Sequence, residues 1–471
     1  MKKLVVIMVL AVLLAGIPFA VAAEGDETET LTIVAPQWAE LQLEPLIQLC
    51  RRATDAQIEV TYIENTADYA AKMSTEILAG GGPDLFLAND VPFWDYAKKG
   101  ALADVGKFVE DDPDLDISQF HENIIDPLRD KNGNLFVMPV SYTFSLIVVN
   151  TPLLEKYGVE IPVEWTLSSM VKAAAEFTKN AKGADVHAFF GDTYLSDALM
   201  DEIMLSIDFK EGEVGADKIT EELLSVLNMD CSDTWAVNQR NVAFTAYWTR
   251  FPRRFSYGDV GWGMFEYEGY EFLVSPRENP ADGNMYILDL GFCVNKNGNV
   301  DAAWRFLKAA LGEKIQAESI NAIYHPILKS ATEDRLNKNR ELLAQIEQKI
   351  QNGEDFSSLL YTTTERSEDE IVPAAENYIN NYTAMMASLT VPRLYDKNLA
   401  DSLAVALNVG TGTLDTAAAK TEIIRIIETY LGESGGDTVQ GYTIIYIAGS
   451  ALAVAIAAGV AIKLTKRKKK A

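Results

Sequence analysis

Hydrophobic and polar residues follow two periods along the first hundred residues. Short runs rich in β-branched and aromatic residues predict strands, and between them apolar residues recur at helical spacing. Strands that alternate with helices in this way indicate a mostly parallel sheet with helices on both faces. The predicted strands are Leu31–Ala35, Gln57–Ile63 and Leu85–Ala88, and the predicted helices are Leu43–Ala53, Ala67–Leu78 and Pro92–Lys99.

The residues that follow the first and third predicted strands are candidates for ligand binding. In open α/β sheets, ligands bind beyond the carboxyl ends of the strands. Trp38 comes shortly after the first predicted strand, and Asn89 and Asp90 follow the third. The pattern therefore predicts that these three side chains contribute to one binding site.

The alternation of strands and helices continues through the middle of the chain. A β-rich run covers Ser141–Val149, and Thr166 is placed to cap a helix over Leu167–Asn180. A strand at Ile287–Val294 precedes an amphipathic helix at Ala302–Leu311. The chain has 471 residues, and single cores stop growing at roughly 250–300 residues, so we expect at least two domains.

Residues 1–22 have the pattern of a secretory signal peptide. Two lysines open the chain, an apolar run follows, and small residues at Ala20 and Ala22 suit cleavage after Ala22. The alternative is an uncleaved anchor helix, which is disfavoured because the apolar run is short for a membrane span. The sequence thus predicts export of the mature chain.

The C-terminal end has the pattern of a single transmembrane helix. Residues 442–462 carry no charge, and at about 1.5 Å per residue this length crosses the roughly 30 Å of hydrocarbon in a bilayer. A basic tail at 463–471 follows, which the positive-inside rule places in the cytoplasm. We therefore predict a single-pass protein of the cell membrane, with an extracellular or periplasmic body and a linker at 435–441.

Composition narrows the possible partners. The chain has 68 acidic and 41 basic residues, a formal net charge of −27. So acidic a body repels phosphate backbones, and we predict no nucleic-acid partner. Three cysteines and three histidines leave little material for zinc or thiol chemistry, so we predict no metal and no cofactor.

Asp112, Asp114 and Asp116 imitate a calcium loop, but Ile117 stands where that loop needs glycine, which favours a solvated acidic loop.

The sequence lacks the common motifs of catalysis. It contains no nucleotide-phosphate loop, no nucleophile elbow and no zinc-protease helix motif. A pair of carboxylates for glycoside hydrolysis stays open, because their separation in space does not follow from the sequence. We predict that the protein is not an enzyme.

An aromatic cluster between Phe244 and Tyr270 offers a different chemistry. It contains ten aromatic residues, Trp248 among them. Tryptophan and tyrosine present a flat apolar face and a polar edge, which suits the two sides of a sugar ring. More than half of these rings are expected in the core, because buried aromatic residues are common. Three arginines at 250, 253 and 254 either meet anionic ligand groups or pair with the acidic surface.

Four stretches of the sequence carry a family resemblance, in a fixed order along the chain. They are Gly82–Phe86 with Gly100–Asp104; Gly133–Pro139 through Leu146–Asn150 to Glu164–Leu167; Ala243–Trp248; and Asn295–Asn299 with Ala302–Leu307. Together they resemble the extracellular solute-binding proteins of ABC transporters, family 1, which include maltose-type sugar receptors. The sequence departs from the family at Thr151, where lysine is usual, and over residues 331–390, which match nothing clearly.

The resemblance implies an α/β, two-lobed, periplasmic-binding-protein-like (type II) fold with a hinge, to which we add the predicted C-terminal transmembrane helix. Lobe 1 is predicted at 29–141 and 287–330, and lobe 2 at 142–286 and 331–434. The ligand-binding residues that the resemblance implies are Trp38, Asn89, Asp90, Tyr142, Thr143 and Trp248, with Tyr324 and His325 as further candidates at the rim.

The function that the resemblance implies is solute capture. We expect a receptor that binds a small solute, with a sugar or oligosaccharide favoured, between two lobes and delivers it to ABC permease subunits. The alternative is an extracellular sensory or adhesion ectodomain that reuses the same fold. Adjacent permease genes would favour the first hypothesis, and an adjacent sensor kinase the second.

Overall fold

The computed structural model describes residues 29–54, 57–190, 194–234, 241–248, 270–318, 325–355, 382–394, 396–407 and 413–434. The strands of this part are β1 (Thr30–Pro36), β2 (Gln57–Ile63), β3 (Leu85–Leu87), β4 (Met138–Thr143), β5 (Ser145–Asn150), β6 (His187–Phe190), β7 (Ile207–Asp208), β8 (Glu213–Val214), β9 (Asp233–Thr234), β10 (Val242–Trp248), β11 (Tyr270–Val274), β12 (Asn284–Val294), β13 (His325–Pro326) and β14 (Leu389–Pro392).

The helices are named in the same chain order. They are α1 (Glu40–Thr54), α2 (Thr66–Leu78), α3 (Phe93–Lys98), α4 (Val105–Asp111), α5 (Glu122–Ile125), α6 (Thr151–Lys156), α7 (Leu167–Asn180), α8 (Tyr194–Leu205), α9 (Glu221–Leu224), α10 (Val300–Leu311), α11 (Glu313–Glu318), α12 (Lys329–Gln351), α13 (Lys397–Ala406) and α14 (Thr416–Ser434). Thr166 caps α7 as predicted, because its side chain accepts from the Ser169 N–H.

Two sheets and two hydrophobic cores divide the molecule. The first sheet has the order β13-β4-β12-β3-β1-β2, with β14 against β12, and the second has the order β11-β5-β10-β6-β9. One core surrounds the first sheet, with Phe86 and Phe306 fully buried, and the other surrounds the second sheet, with Phe177 and Phe244 fully buried. Burying each such ring stabilises the fold by roughly 1.5–3 kcal/mol. We call the sheets with their cores the first half and the second half.

The first sheet is mixed rather than mostly parallel. β1 pairs in parallel with β2 and β3, as the alternation of strands and helices predicts. β12 lies between β3 and β4 and is antiparallel to both. The difference arises because β12 returns from the second half, a long-range connection that local periodicity does not report.

Asp84 explains why two of the resembling stretches belong together. Its carboxylate accepts from the Thr32 N–H at 2.7 Å and from the Asn299 N–H at 2.6 Å. A Cβ atom at residue 298 would lie 2.6 Å from the Asp84 Oδ1 atom. The turn before α10 therefore requires Gly298 so that it can approach the strand that Asp84 precedes.

The described chain passes between the two halves at three crossings. The first is at the buried Phe144, between β4 and β5, which divides the single β-rich run expected over 141–149. The second covers residues 275–283, between β11 and β12, and the third covers residues 393–396, between β14 and α13. Three crossings agree with a hinge that the chain passes more than once.

The segment after residue 330 is shared between the two cores. Ala331, Leu336 and Leu389 belong to the first core, and Leu399 and Ile423 belong to the second. The sequence alone predicts that all of 331–434 belongs to lobe 2. The lobe limits stay a prediction, to which these contacts add a division near residue 396.

The fold class requires a correction at the C-terminal end. The two-lobed α/β fold is present, but none of the helices in the described ranges is long and apolar enough to cross a membrane. The predicted transmembrane helix at 442–462 lies outside those ranges, as do the signal peptide at 1–22, the linker at 435–441 and the tail at 463–471. The single C-terminal span is therefore withdrawn from the fold class.

Candidate functional site

The structure brings the three predicted strand-end residues together. A short 3-10 turn over Gln37–Ala39 follows β1 and carries Trp38, whose side chain is 40% exposed. The Trp38 side chain donates a hydrogen bond to the Asp90 carboxylate, which follows β3. Because β1 and β3 are neighbouring parallel strands, their carboxyl ends meet at one edge of the first sheet.

Asn89 lies at this edge, and only one of its two polar side-chain atoms forms a hydrogen bond within the described residues. The residue is buried, and its Nδ2 atom donates to the Leu288 carbonyl oxygen at 2.8 Å. The Asn89 Oδ1 atom is buried and has no hydrogen-bond partner among the described residues. A buried acceptor without a partner is costly, so it favours a donor supplied from outside the protein.

Asp90 has an uncommon backbone conformation and a perturbed charge. Its φ of 67° lies in the left-handed region, which is rare for residues other than glycine and occurs often at functional sites. Burial raises the pKa of Asp90, while the Trp38 hydrogen bond and the charges of Lys397 and Arg393 oppose that rise. The carboxylate is therefore held in place by groups from both halves of the molecule.

The third crossing faces this edge of the first sheet. Asp90 forms an isolated parallel bridge with Asp396, and the Lys397 N–H donates to the Asp90 carbonyl oxygen at 3.3 Å. Asp396 is the N-cap of α13 and is buried, and its carboxylate accepts from the Asn398 N–H at 2.8 Å and the Tyr430 hydroxyl at 3.3 Å. Burial raises the pKa of Asp396 to about 7.

Two adjacent acidic residues of α8, Asp201 and Glu202, form ion pairs with arginines of the second and third crossings. The Arg277 Nε atom lies 2.5 Å from the Glu202 Oε1 atom, in a pair that is buried on both sides, and Arg277 also donates to the Gly283 carbonyl oxygen at 2.9 Å. The Arg393 Nε atom donates to the Asp201 Oδ1 atom at 2.6 Å. Burial raises the pKa of Glu202, and the charge of Arg277 opposes that rise. These ion pairs attach the crossings to the second half.

A cavity of about 530 Å³ lies where the two halves face each other. The first half contributes Trp94 and Pro127, and the third crossing contributes Leu394. The second half contributes residues 204–210, 213–215 and 218. This volume is within the range of pockets that hold small molecules.

The other predicted site residues have different positions. Tyr142 is completely buried in β4, where its ring packs against those of His121, Tyr286 and His325. Thr143 is buried beside it at the end of the same strand. His325 is also completely buried, and its Nδ1 atom bonds to the Tyr382 hydroxyl.

The aromatic cluster is only partly described. Phe244 lies in the second core, as expected for many of these rings. The backbone of Trp248 ends β10 and pairs with Ser145, one residue after the first crossing. The side chain of Trp248, residues 249–269 with the three arginines, and Tyr324 lie outside the described residues.

The sequence analysis missed the residues of the third crossing. Arg393, Asp396 and Lys397 follow the segment that resembled nothing, and only the tertiary structure brings them to Asp90. One signal was present, because an aspartate before a helical apolar pattern is a typical N-cap. Trp94 and Lys210 were missed because no motif marks single residues of these types.

The N-terminal part of the chain is similar to one bacterial protein family. Residues 25–230 match the family model of the bacterial extracellular solute-binding proteins. This match covers less than half of the 471 residues and shows that this part of the chain is similar to the family. It confirms the resemblance found in the sequence, and the proteins of the family are described as extracellular and solute-binding. No curated protein sequence matches the chain.

Solved structures of solute-binding proteins share the fold of this chain. The sugar-binding protein MalE from Xanthomonas citri is 15% identical, with a TM-score of 0.55 over 86% of this chain and 98% of that one. An ABC substrate-binding protein from Listeria monocytogenes, in complex with cycloalternan, is 15% identical, with a TM-score of 0.52 over 86% and 99%. The GacH receptor of Streptomyces glaucescens, solved unliganded and with acarbose, is 16% identical, with a TM-score of 0.50 over 85% and 98%.

Proposed function

We propose that the protein is an extracellular receptor that captures a carbohydrate between its two halves and delivers it to the permease of an ABC transporter. The observation that carries this proposal is the meeting of Trp38, Asn89 and Asp90 at the strand ends of the first half. Asp90 bridges to Asp396 of the third crossing. The cavity lies between the same two halves, and its lining does not include these three residues. A solute that contacts both halves would favour their closure.

The chemistry of the cluster suits a sugar. Trp38 has an exposed face on which the C–H side of a sugar ring can stack. The Asn89 Oδ1 atom and the Asp90 carboxylate are acceptors for sugar hydroxyl groups. Two relatives by fold support this class, since one is named a sugar-binding protein and another was solved with cycloalternan.

We further propose that Trp248 contributes from the second half. Its backbone pairs with Ser145 beside the first crossing, which puts the end of β10 close to the boundary between the two halves. Tyr142 and Thr143 precede the same crossing but are buried, so they would support the site from behind. Tyr324 stays a candidate on the strength of the family resemblance alone.

Calorimetry on the purified full chain tests the proposal. Maltose, cycloalternan and acarbose would be titrated, with amino acids and polyamines as comparison solutes. Replacing either tryptophan, Trp38→Ala or Trp248→Ala, should weaken binding of the best sugar roughly thirty-fold, the loss of about 2 kcal/mol typical of an aromatic anchor. Leu41→Ala, at an 82% exposed position on the adjacent helix, is the control and should bind as the parent does.

Thermal unfolding of the same variants separates binding from packing. If the tryptophans bind solute, both variants should keep most of the parent's stability. A large loss of stability with unchanged sugar affinity would place the rings in the core and refute their role. Binding of a polyamine or amino acid in preference to every sugar would refute the carbohydrate class.

A further inference from the structure

A small hairpin in the second half has a tip whose shape is fixed from within. Its strands, β7 and β8, pair antiparallel. The Asp208 Oδ1 atom accepts from the Lys210 and Glu211 N–H groups at 2.9 and 3.0 Å, and the Gly212 N–H donates to the Asp208 carbonyl oxygen at 2.7 Å. Gly212 has a φ of 78°, a conformation that glycine adopts without strain. The tip is therefore preformed rather than loose.

The base of the hairpin is attached to the second half. Ile207 is buried in the second core. The ring of Phe209 packs edge-on against that of Tyr430 in α14, with centroids 6.4 Å apart. The Gly215 N–H donates to the Ser206 carbonyl oxygen at 2.8 Å and closes the base. The hairpin thus moves with the second half.

The tip of the hairpin, in contrast, lies on the first half. The Lys210 Nζ atom donates to the carbonyl oxygens of Pro127 and Arg129 at 2.5 and 2.7 Å. The same atom lies 5.2 Å from the centroid of the Trp94 ring, a distance at which a cation is attracted to an aromatic face. Burial lowers the pKa of Lys210, which agrees with its insertion into the first half.

Two further lysines of the first half reach back to the tip. The Lys98 Nζ atom donates to the Phe209 carbonyl oxygen at 2.8 Å. The Lys131 Nζ atom lies 3.0 Å from the Glu211 Oε2 atom. Hairpin residues and Trp94 both line the cavity. These contacts between the halves therefore lie beside the cavity.

We propose that the hairpin 207–214 is a latch that holds the two halves together over the cavity, with Lys210 as the residue that engages the first half. Its contacts exist only when the halves are together, so they stabilise that arrangement relative to an open one. The effect of the latch on solute affinity rests on the proposed function, because a solute that needs both halves binds in proportion to the closed fraction. The latch itself does not depend on any solute.

Distance measurement between the halves tests the latch. Spin labels would be attached at Lys107→Cys in α4 and Lys179→Cys in α7, two exposed positions on opposite halves. The background carries Cys231→Ala, because the other two cysteines are buried. The parent should give one short distance without added solute, and Lys210→Met should add a longer population. The control is Lys172→Met, which breaks an ion pair with Glu222 inside the second half and should match the parent.

Lys210→Arg is the control that distinguishes loss of the latch from a general loss of structure. It keeps a cation that can donate to the two carbonyl groups, so it should restore most of the short distance that Lys210→Met loses. The proposal is overturned if Lys210→Met has the parent's distances, or if Lys210→Arg opens the molecule as far as Lys210→Met does while both keep the parent's circular dichroism.

A maltose titration separates the latch from the proposed function. If the parent binds maltose, Lys210→Met should weaken that binding roughly two- to ten-fold through the lost closed fraction. Unchanged maltose affinity in a variant that opens would overturn the link between latch and binding. A parent that binds no sugar would count against the proposed function alone, because the distances are measured without solute.

Discussion

The seam between the two halves is held by two contrasting sets of contacts. At the crossings, Arg277 and Arg393 pair with adjacent acids of α8, and the Arg277 pair is buried on both sides. At the hairpin, Lys98 and Lys210 donate to backbone carbonyl oxygens from exposed or half-buried positions. A buried charge that loses its partner has no water to replace it, whereas an exposed group does. The crossings therefore act as permanent attachments, and the hairpin can release and engage again.

Breaking the buried pair at the second crossing should have the largest effect on stability. Arg277→Met leaves the Glu202 carboxylate buried without its cation, and we expect the free energy of unfolding to fall by about 3–5 kcal/mol. Urea denaturation followed by circular dichroism measures this loss. The double variant Arg277→Met with Glu202→Met removes both charges and should recover most of it. A single variant as stable as the parent would contradict the structural role given to this crossing.

An intermediate effect should depend on pH and act through Asp396. Its pKa of about 7 in the folded protein exceeds the ordinary value near 3.8, so between these pH values the folded state binds a proton that the unfolded state has lost. The stabilising contribution of Asp396 is therefore complete below pH 3.8 and is lost as the pH rises through 7. From pH 5 to pH 7 the contribution of Asp396 to the free energy of unfolding should fall by about 2–3 kcal/mol, at roughly 1.4 kcal/mol per pH unit.

Asp396→Asn is the matched variant for this measurement, because asparagine also caps helices well. Unfolding free energies of parent and variant would be compared at pH 5, 6 and 7, so that contributions from other groups cancel. His121, whose pKa burial lowers to about 4, changes stability in the opposite direction in both proteins. Parallel pH profiles for parent and variant would show that Asp396 is not the titrating group.

The smallest effect is expected at the exposed edge of the hairpin. Lys98→Met removes one hydrogen bond to the Phe209 carbonyl oxygen, which water can replace, so the unfolding free energy should fall by less than about 1 kcal/mol. Lys99→Met, at the next exposed position, controls for the loss of a positive charge. A loss as large as that of Arg277→Met would erase the contrast between hairpin and crossings.

The position of Trp38, Asn89 and Asp90 at one edge of the first sheet could be predicted from the sequence because local patterns define it. Periodicity located β1 and β3, and the rule that ligands bind beyond strand ends then selected Trp38, Asn89 and Asp90, which the structure brings together. The break between β4 and β5 was missed because Phe144 is neither glycine nor proline and nothing local marks it. Arg393 and Asp396 were missed because their closeness to Asp90 depends on a connection of about three hundred residues.

The central place of β12 also sets the order in which the molecule can fold. β12 lies between β3 and β4, yet it leaves the ribosome about 150 residues after β4. Until then β3 and β4 have no partner between them, and their unpaired edges are exposed to other chains. Contacts so distant in sequence form slowly. The first half therefore cannot complete its sheet until β12 has been synthesised.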